Sequence, residues 1–452
     1  MDLTVVVYYI NILWDIIKNW WWVWFPLIIW RPFLFWWLWW RQETWMFAQK
    51  SVLLELKMPQ DVLKPIRAME QAFSAIWANT FDPPDWWEKW FEGKQLLSVQ
   101  LEMVSEEGNP HFYIRCHDSR RDAIESSVYS QYPDAEISLV DDYTKRVPQN
   151  IPNKDWDLWG TDYIMNKSDV YPILTYLKFF EESEATKEEK RIDPMVNLLE
   201  GMTRMKPGEH LWVQIAFTPI TDSKNLMEGE EFIKRGRKEA DKLAKRTEKA
   251  KQRSILQEAT DELITGTMPG GQEEEKQLFP AEMRMTPGEK DMVQGVENKV
   301  AKRCSRTYIR FIYLAKRDVY FGGAKAIPFG FFNQFSTENL NQLRPYPRTL
   351  TKIKKYITFL KIPIPISELF RARRAFIKKR RLFFRYIKRF PPLFPRPSQN
   401  PKPSESSVFL LNIEELATLF HFPGRAVAPS PTVPRVGAKR GGAPADLPLE
   451  EE

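Results

Sequence analysis

With four histidines and two cysteines in 452 residues, this chain holds few side chains suited to nucleophilic or metal chemistry. His111, Cys116 and His117 fall close together, but strand alternation puts the two histidines on one face and the cysteine on the other. Cys116 and Cys304 lack the CxxC spacing of a zinc or redox site and read as buried thiols in a reducing compartment. No GxxxxGK[ST] phosphate loop occurs, and Gly322-Gly323 and Gly441-Gly442 lack its lysine–hydroxyl pair. HExxH, GxSxG and DxDxDG are also missing, and Asp141-Asp142 follows a predicted strand as a turn would. No catalytic, cofactor-binding or metal-binding residue is therefore assigned, and the chain is read as a non-enzyme.

Electrostatic binding is the chemistry that remains. The 66 basic and 59 acidic residues leave a net charge of only +7, so placement matters more than the total. Ten of the twenty-three residues 368–390 are basic: Arg371, Arg373, Arg374, Lys378, Lys379, Arg380, Arg381, Arg385, Lys388 and Arg389. Leu369, Phe376, Phe383, Ile387 and Phe390 fall near one face at helical spacing. A basic amphipathic helix of this kind suits anionic lipid head groups or the phosphates of a nucleic acid. The plain alternative is a helix that docks its apolar side on its own domain and leaves its charges solvated. The mixed-sign run 228–264 reads as a solvated helix or one arm of a helical hairpin, with a partner contact as the second reading.

A second surface chemistry sits at the N-terminus, where eleven of the eighteen tryptophans precede residue 46. Residues 20–40 are nearly all apolar and would span about 31 Å as a helix, the thickness of a bilayer core. Trp20, Trp21, Trp22 and Trp24 at one end, and Trp36, Trp37, Trp39 and Trp40 at the other, fall where aromatic belts lie, with Trp30 and Arg31 between them. A central arginine costs about 2.5–3.5 kcal/mol on insertion scales, and Pro26 and Pro32 add breaks. The expected arrangement is one tilted, kinked transmembrane span; a re-entrant hairpin turning at Arg31-Pro32 and an interfacial segment are the alternatives. The absence of a small-residue cleavage site argues against a cleaved signal peptide. Arg41, Lys50 and Lys57 after the run, against Asp2 and Asp15 before it, place the bulk in the cytoplasm at the inner membrane.

Alternation and helical periodicity supply the remaining elements. Residues 52–57 read as a strand, 63–79 as a helix, 97–103 and 111–116 as a hairpin turned by Glu107-Gly108-Asn109, 118–132 as a helix and 135–140 as a strand. That βαββαβ order is the ferredoxin-like arrangement. A second, interrupted copy is expected from a helix at 193–205, strands at 210–218 and 306–316, a helix at 326–335 and a closing strand at 407–412. The fold class is thus α+β: an anchor (1–46), a first ferredoxin-like domain (47–150), a second (151–422) with a charged helical insertion at 221–300 and a basic, proline-rich insertion at 345–407, and a Pro/Ala/Gly-rich linker tail (423–452).

The stretch LNIEELATLFHFPG (411–424), followed by PTVPRVGAKRGGAPADLP (431–448), resembles the segment before the P-loop domain of membrane-anchored HerA/FtsK-superfamily ATPases. These are type IV secretion or conjugation-like proteins of Candidate Phyla Radiation bacteria. Residues 57–219 look like their N-terminal region, a domain of unknown function, and the resemblance covers about 50–424. It implies a non-catalytic, membrane-anchored component linking the membrane to a translocating motor. The phosphate loop and acidic motif of that family are missing here, so no catalytic residue carries over. The resemblance places the motor on a separate P-loop ATPase subunit or in a C-terminal ATPase domain missing from this chain. Membrane lipids, single-stranded DNA and further copies of the chain are the other partners this reading admits. A stand-alone membrane scaffold that binds a partner through its charged helix is the alternative.

Overall fold

The computed structural model describes residues 8, 14–15, 18–59, 64–179, 193–220, 227–244, 285–359, 362–365, 367–391, 407–423 and 435–436. Two units are distinguished, one of Met1–Lys50 with Asp82–Leu97 and one of Ser51–Phe81 with Ser98–Glu452.

The first unit is built on α1 (Trp21–Ala48), one 28-residue helix that runs through Pro26 and Pro32. At about 1.5 Å per residue it extends about 42 Å. Because the helix is continuous across Arg31-Pro32, the re-entrant hairpin is excluded as the shape of this segment. Among the described residues no helix is long and apolar enough to cross a membrane, so the expected transmembrane span is unsupported. The physical reason lies in the residue type. Indole rings carry an N–H that seeks a polar partner and favour the boundary of a bilayer over its centre. A π-helical turn at Glu88–Glu92 packs beside α1. Trp37 Nε1 donates to the Trp90 carbonyl at 2.9 Å, and Arg41 Nε donates to that of Phe91. Gly93 closes the turn at φ 79° against the Arg41 backbone, where any Cβ would collide.

In the second unit, β1 (Ser51–Pro59), α2 (Ile66–Thr80), β2 (Val99–Glu106), β3 (Asn109–His117), α3 (Arg121–Tyr129) and β4 (Glu136–Val140) follow in sequence. Their strands lie antiparallel in the order β4-β1-β3-β2. The same progression then recurs. It consists of β5 (Trp156–Met165), a four-residue helix α4 (Tyr176–Phe179), α5 (Met195–Thr203), β6 (Glu209–Pro219), β7 (Cys304–Lys316), α8 (Ala326–Asn333) and β8 (Leu343–Pro345), its strands ordered β6-β7-β5-β8. Strands β2 and β6 pair antiparallel from Val99↔Phe217 to Glu106↔His210, so the two copies share one continuous sheet.

Two assignments of the second copy change. Its opening strand is β5, hidden in the sequence because Gly160 and Asp162 interrupt an otherwise apolar alternation. Its closing strand is the short β8 beside β5; β11 (Phe409–Asn412), expected in that place, pairs instead with the start of β7. The charged insertion contributes α6 (Met227–Leu243) and α7 (Pro287–Ala301), which pack together through Phe232, Ala240 and Val296. Residues 245–284, including the rest of the expected helix, lie outside the described residues. The basic insertion forms a hairpin of β9 (Tyr356–Phe359) and β10 (Ile362–Pro365), then α9 (Glu368–Ile387). Within the expected tail, β12 (Arg435–Val436) pairs parallel with β1.

Strand alternation gives the sheet two buried faces. Leu101, Met103, Phe112, Ile114, Leu211 and Phe311 meet α2, α3, α5, α8 and α10 (Ile413–Leu419) in the main core. Val104, Tyr113, Leu158, Trp212 and Ile312 point the other way, under residues 143–151 and the last turns of α9. Phe420, fully buried against Phe73, Phe112 and Phe422, ties the C-terminal helix to the main core. Replacing Phe420 by Ala is expected to cost about 3–5 kcal/mol in equilibrium urea unfolding. The half-exposed Phe384 replaced by Ala should change it by less than about 0.5 kcal/mol.

Candidate functional site

The basic helix α9 is positioned by a polar row that crosses the second face of the sheet. Register places Glu55, Tyr113, Glu102, Gln214, Arg310 and Asp162 side by side on six neighbouring strands. Glu102 is fully buried at its centre and accepts from Arg389 Nε and Nη2, both at 3.1 Å, from Gln214 Nε2 at 2.6 Å and from the Tyr143 hydroxyl at 2.8 Å. Asp142 takes the remaining guanidinium edge, with Arg389 Nη1 2.5 Å and Nη2 3.0 Å from its two oxygens. Burial alone would raise the Glu102 carboxyl, but the Arg389 charge and these hydrogen bonds outweigh it and hold the group below its ordinary range. Asp142 is lowered by the same balance, its desolvation outweighed by Arg389 and by the Thr144 backbone.

This clamp determines how α9 ends. Arg389 sits at φ 54°, the left-handed backbone that usually falls to glycine just past a helix. Its ion pairs make the conformation worth holding. The carbonyl of Arg389 accepts from the Tyr308 hydroxyl at 2.7 Å, and that of Phe390 from Arg310 Nη2 at 2.6 Å. Arg310 is itself buried against Asp162 at 3.1 Å. Leu382, Phe383 and Tyr386 complete the docking, with Gly160 offering no side chain beneath Leu382.

The ten cations expected to face a ligand therefore divide. Arg389 is removed from the surface altogether, which corrects its assignment as a contact residue. Lys379 pairs with Asp157 at 2.6 Å. Lys378 donates to the Pro347 and Leu350 carbonyls, and burial with Arg374 nearby pushes its amine below the ordinary range. Arg385 is half-buried, lowered by desolvation, and caps the Arg381 carbonyl. Arg371, Arg373, Arg374, Arg380, Arg381 and Lys388 keep solvent access, with no acidic partner among the described residues. The expected apolar face divides too: Phe383 and Phe390 are buried, but Leu369 is 85 % exposed and Phe376 44 %. Only the C-terminal half of α9 docks.

In the first unit the aromatic helix is open. Trp20, Trp22, Trp30, Trp36 and Trp40 are exposed, as is Arg31, and Trp37 and Trp39 are partly covered; the side chains of Trp21 and Trp24 lie outside the described atoms. Trp86, Trp87 and Phe91 at the π-helical turn are also exposed; the Phe91 ring stacks on Trp87 and meets Trp86 edge-on.

The segment carrying the family resemblance is a packing device. Asn412 and Glu415 form a reciprocal capping box, and Glu415 also pairs with Lys299 at 3.0 Å, both side chains fully buried. His421 meets Asp193 at 2.9 Å. Glu414 and Glu70 share Lys302 at 2.6 and 2.7 Å. Among the described residues no group of three or more His, Cys, Asp or Glu could hold a metal. His111 pairs with Glu55 at 2.6 Å, while Cys116 lies in the main core, its thiol pushed up to about 12 by burial. No family model matches this chain, and no curated protein does.

Glu102, Tyr143, Gln214 and Arg310 were not singled out by sequence pattern, and Asp142 was read only as part of a turn after a strand. A polar residue between two apolar ones, as Glu102 lies between Leu101 and Met103, signals the solvent side of a half-buried strand. Only the covering helix reverses that meaning. Replacing Arg389 by Met should cost about 3–5 kcal/mol at neutral pH, because Glu102 is left buried without its partner. The sign with pH follows from the depressed carboxyls. Their contribution is complete above about pH 4, the unfolded range, and disappears as pH falls through the folded values. The stability gap between the native chain and the Arg389→Met variant should therefore shrink in urea titrations carried below that range.

Proposed function

We propose that this chain is a non-catalytic, membrane-associated component of a type IV secretion or conjugation-like translocation machine. In this reading its two ferredoxin-like copies join a lipid-seated helix to a HerA/FtsK-type P-loop ATPase. The observation that carries the membrane part is the aromatic stripe of α1. Trp22, Phe25, Ile29, Phe33, Trp36, Trp40 and Phe47 recur at helical spacings, and all are exposed. Monomeric soluble proteins rarely leave so much contiguous apolar surface open. Arg31 lies nine residues from both Trp22 and Trp40, two and a half helical turns, and so faces away from them. That geometry supports a helix lying in the bilayer interface, with indoles at the head-group boundary and Arg31 toward water. Each half-exposed indole adds roughly 2 kcal/mol when its remaining apolar area is buried.

The link to a motor rests on the sequence resemblance of residues 411–424. Single-stranded DNA and further copies of the chain stay within the same proposal as partners of the assembled machine. The absence of a phosphate loop assigns the ATPase activity to a partner subunit or another domain.

Two measurements test these parts separately. In flotation with phosphatidylcholine vesicles, the combined Trp22→Ser, Trp36→Ser and Trp40→Ser variant should lose at least about a hundredfold in partitioning, from the loss of about 3 kcal/mol or more. Unchanged partitioning would remove the membrane reading. Crosslinking in the native cell should recover a protein bearing GxxxxGK[ST]; consistent recovery of partners without that sequence would remove the motor.

A further inference from the structure

Docking by the C-terminal half of α9 leaves the opposite side of the whole helix in solvent, and that side has its own order. Phe370, Ile377 and Phe384 are exposed and follow one another at seven-residue intervals, so they form a line along the helix. Arg373 and Arg380 flank this line on one side. Arg374, Arg381 and Lys388, each four residues on from a member of the line, flank it on the other. All five cations are exposed and lack acidic partners among the described residues. Leu369, next to Phe370 at the free end of the helix, is 85 % exposed as well. Residues 352–391 contain fourteen basic residues and one acidic residue, so the charge around the stripe is almost wholly of one sign.

We propose that this stripe is a preformed contact for an anionic bilayer surface, a second attachment in the other unit of the chain; it deepens the membrane reading above and rests on it. The apolar line enters the acyl boundary while the flanking arginines meet lipid phosphates. Side-chain chemistry selects lipid over nucleic acid. Phe370 and Phe384 could each stack on a base, but Leu369 and Ile377 have no π face, whereas all four gain from burial among acyl groups. Like charge on both flanks opposes a second copy of the same face. The orientation is set in advance, because Leu382, Phe383, Tyr386 and Arg389 hold the opposite side against the sheet. The helix therefore pays little ordering entropy on binding.

The test uses the full chain with a single reporter. Cys116 and Cys304 are both buried, so an Ile377→Cys variant can be labelled selectively with an environment-sensitive dye. Vesicles of equal parts phosphatidylcholine and phosphatidylglycerol carrying nitroxide-labelled lipids should quench the dye. The combined Arg373→Gln, Arg374→Gln, Arg380→Gln and Arg381→Gln variant should lose its preference for these vesicles over pure phosphatidylcholine, by about fivefold per arginine. Its urea midpoint should be unchanged, since those side chains make no hydrogen bond or ion pair among the described residues. A chain that floats with the dye unquenched, or a variant that keeps the preference, overturns the stripe and leaves the α1 reading standing. Failure to float on either vesicle overturns both. Shielding of the dye by a single-stranded oligonucleotide, with no quenching by lipid, overturns the proposal in favour of nucleic acid.

Discussion

The pairing of Arg389 with Glu102 and Asp142 is the constraint on which the arrangement of the second unit depends. An arginine taken out of water is costly, and the cost is recovered only when its donors meet charged acceptors in good geometry. Here two carboxylates occupy its donors, and Gln214 and Tyr143 satisfy the remaining lone pairs of Glu102. Those groups come from distant parts of the chain: Glu102 and Asp142 from the first βαββαβ copy, Gln214 from the second, Arg389 from the basic insertion. One buried charge thus ties three segments into one arrangement. A buried pair of this kind adds less to net stability than an apolar core would, and its value here is orientational. It fixes which side of α9 faces the sheet and therefore which side faces solvent.

Edge pairing supplies the other organising principle. A βαββαβ unit alone leaves an unpaired edge at β2, an open template for another strand. Pairing β2 with β6 over eight residues hides the corresponding edges of both copies at once. The row of polar side chains from Glu55 to Asp162 exists only because that junction holds the two registers in line. The helices of the main core then cover one face, and α9 with residues 143–151 covers the other.

The two surfaces with binding chemistry differ in kind. In the first unit the surface is aromatic and nearly uncharged, held by hydrogen bonds from Trp37 and Arg41 to the π-helical turn. In the second it is cationic with an apolar line, held by the clamp. An aromatic surface depends on apolar area and is insensitive to salt, whereas a cationic one depends on counter-charge and weakens with ionic strength. In the proposed membrane reading these are separate handles on one kind of partner.

The sequence alone determined what local patterning controls. Alternation at 97–103 and 111–116, the helix read at 63–79 and found at Ile66–Thr80, and the tryptophan helix were legible, because apolar period and turn residues act over a few positions. The density of cations at 368–390 was legible as well. Tertiary structure decided which of them are available. Arg389 became an internal ion pair, Lys379 a partner of Asp157, and Arg373, Arg380 and Arg381 stayed in solvent. It also decided that β8 closes the second copy while the segment at 409–412 pairs with β7. That segment has the stronger strand pattern, but pairing depends on which edge is open in space. In the same way, a charge on a strand reads as exposed until a helix is laid over it. The covering helix comes from nearly three hundred residues away, a separation that periodicity cannot span.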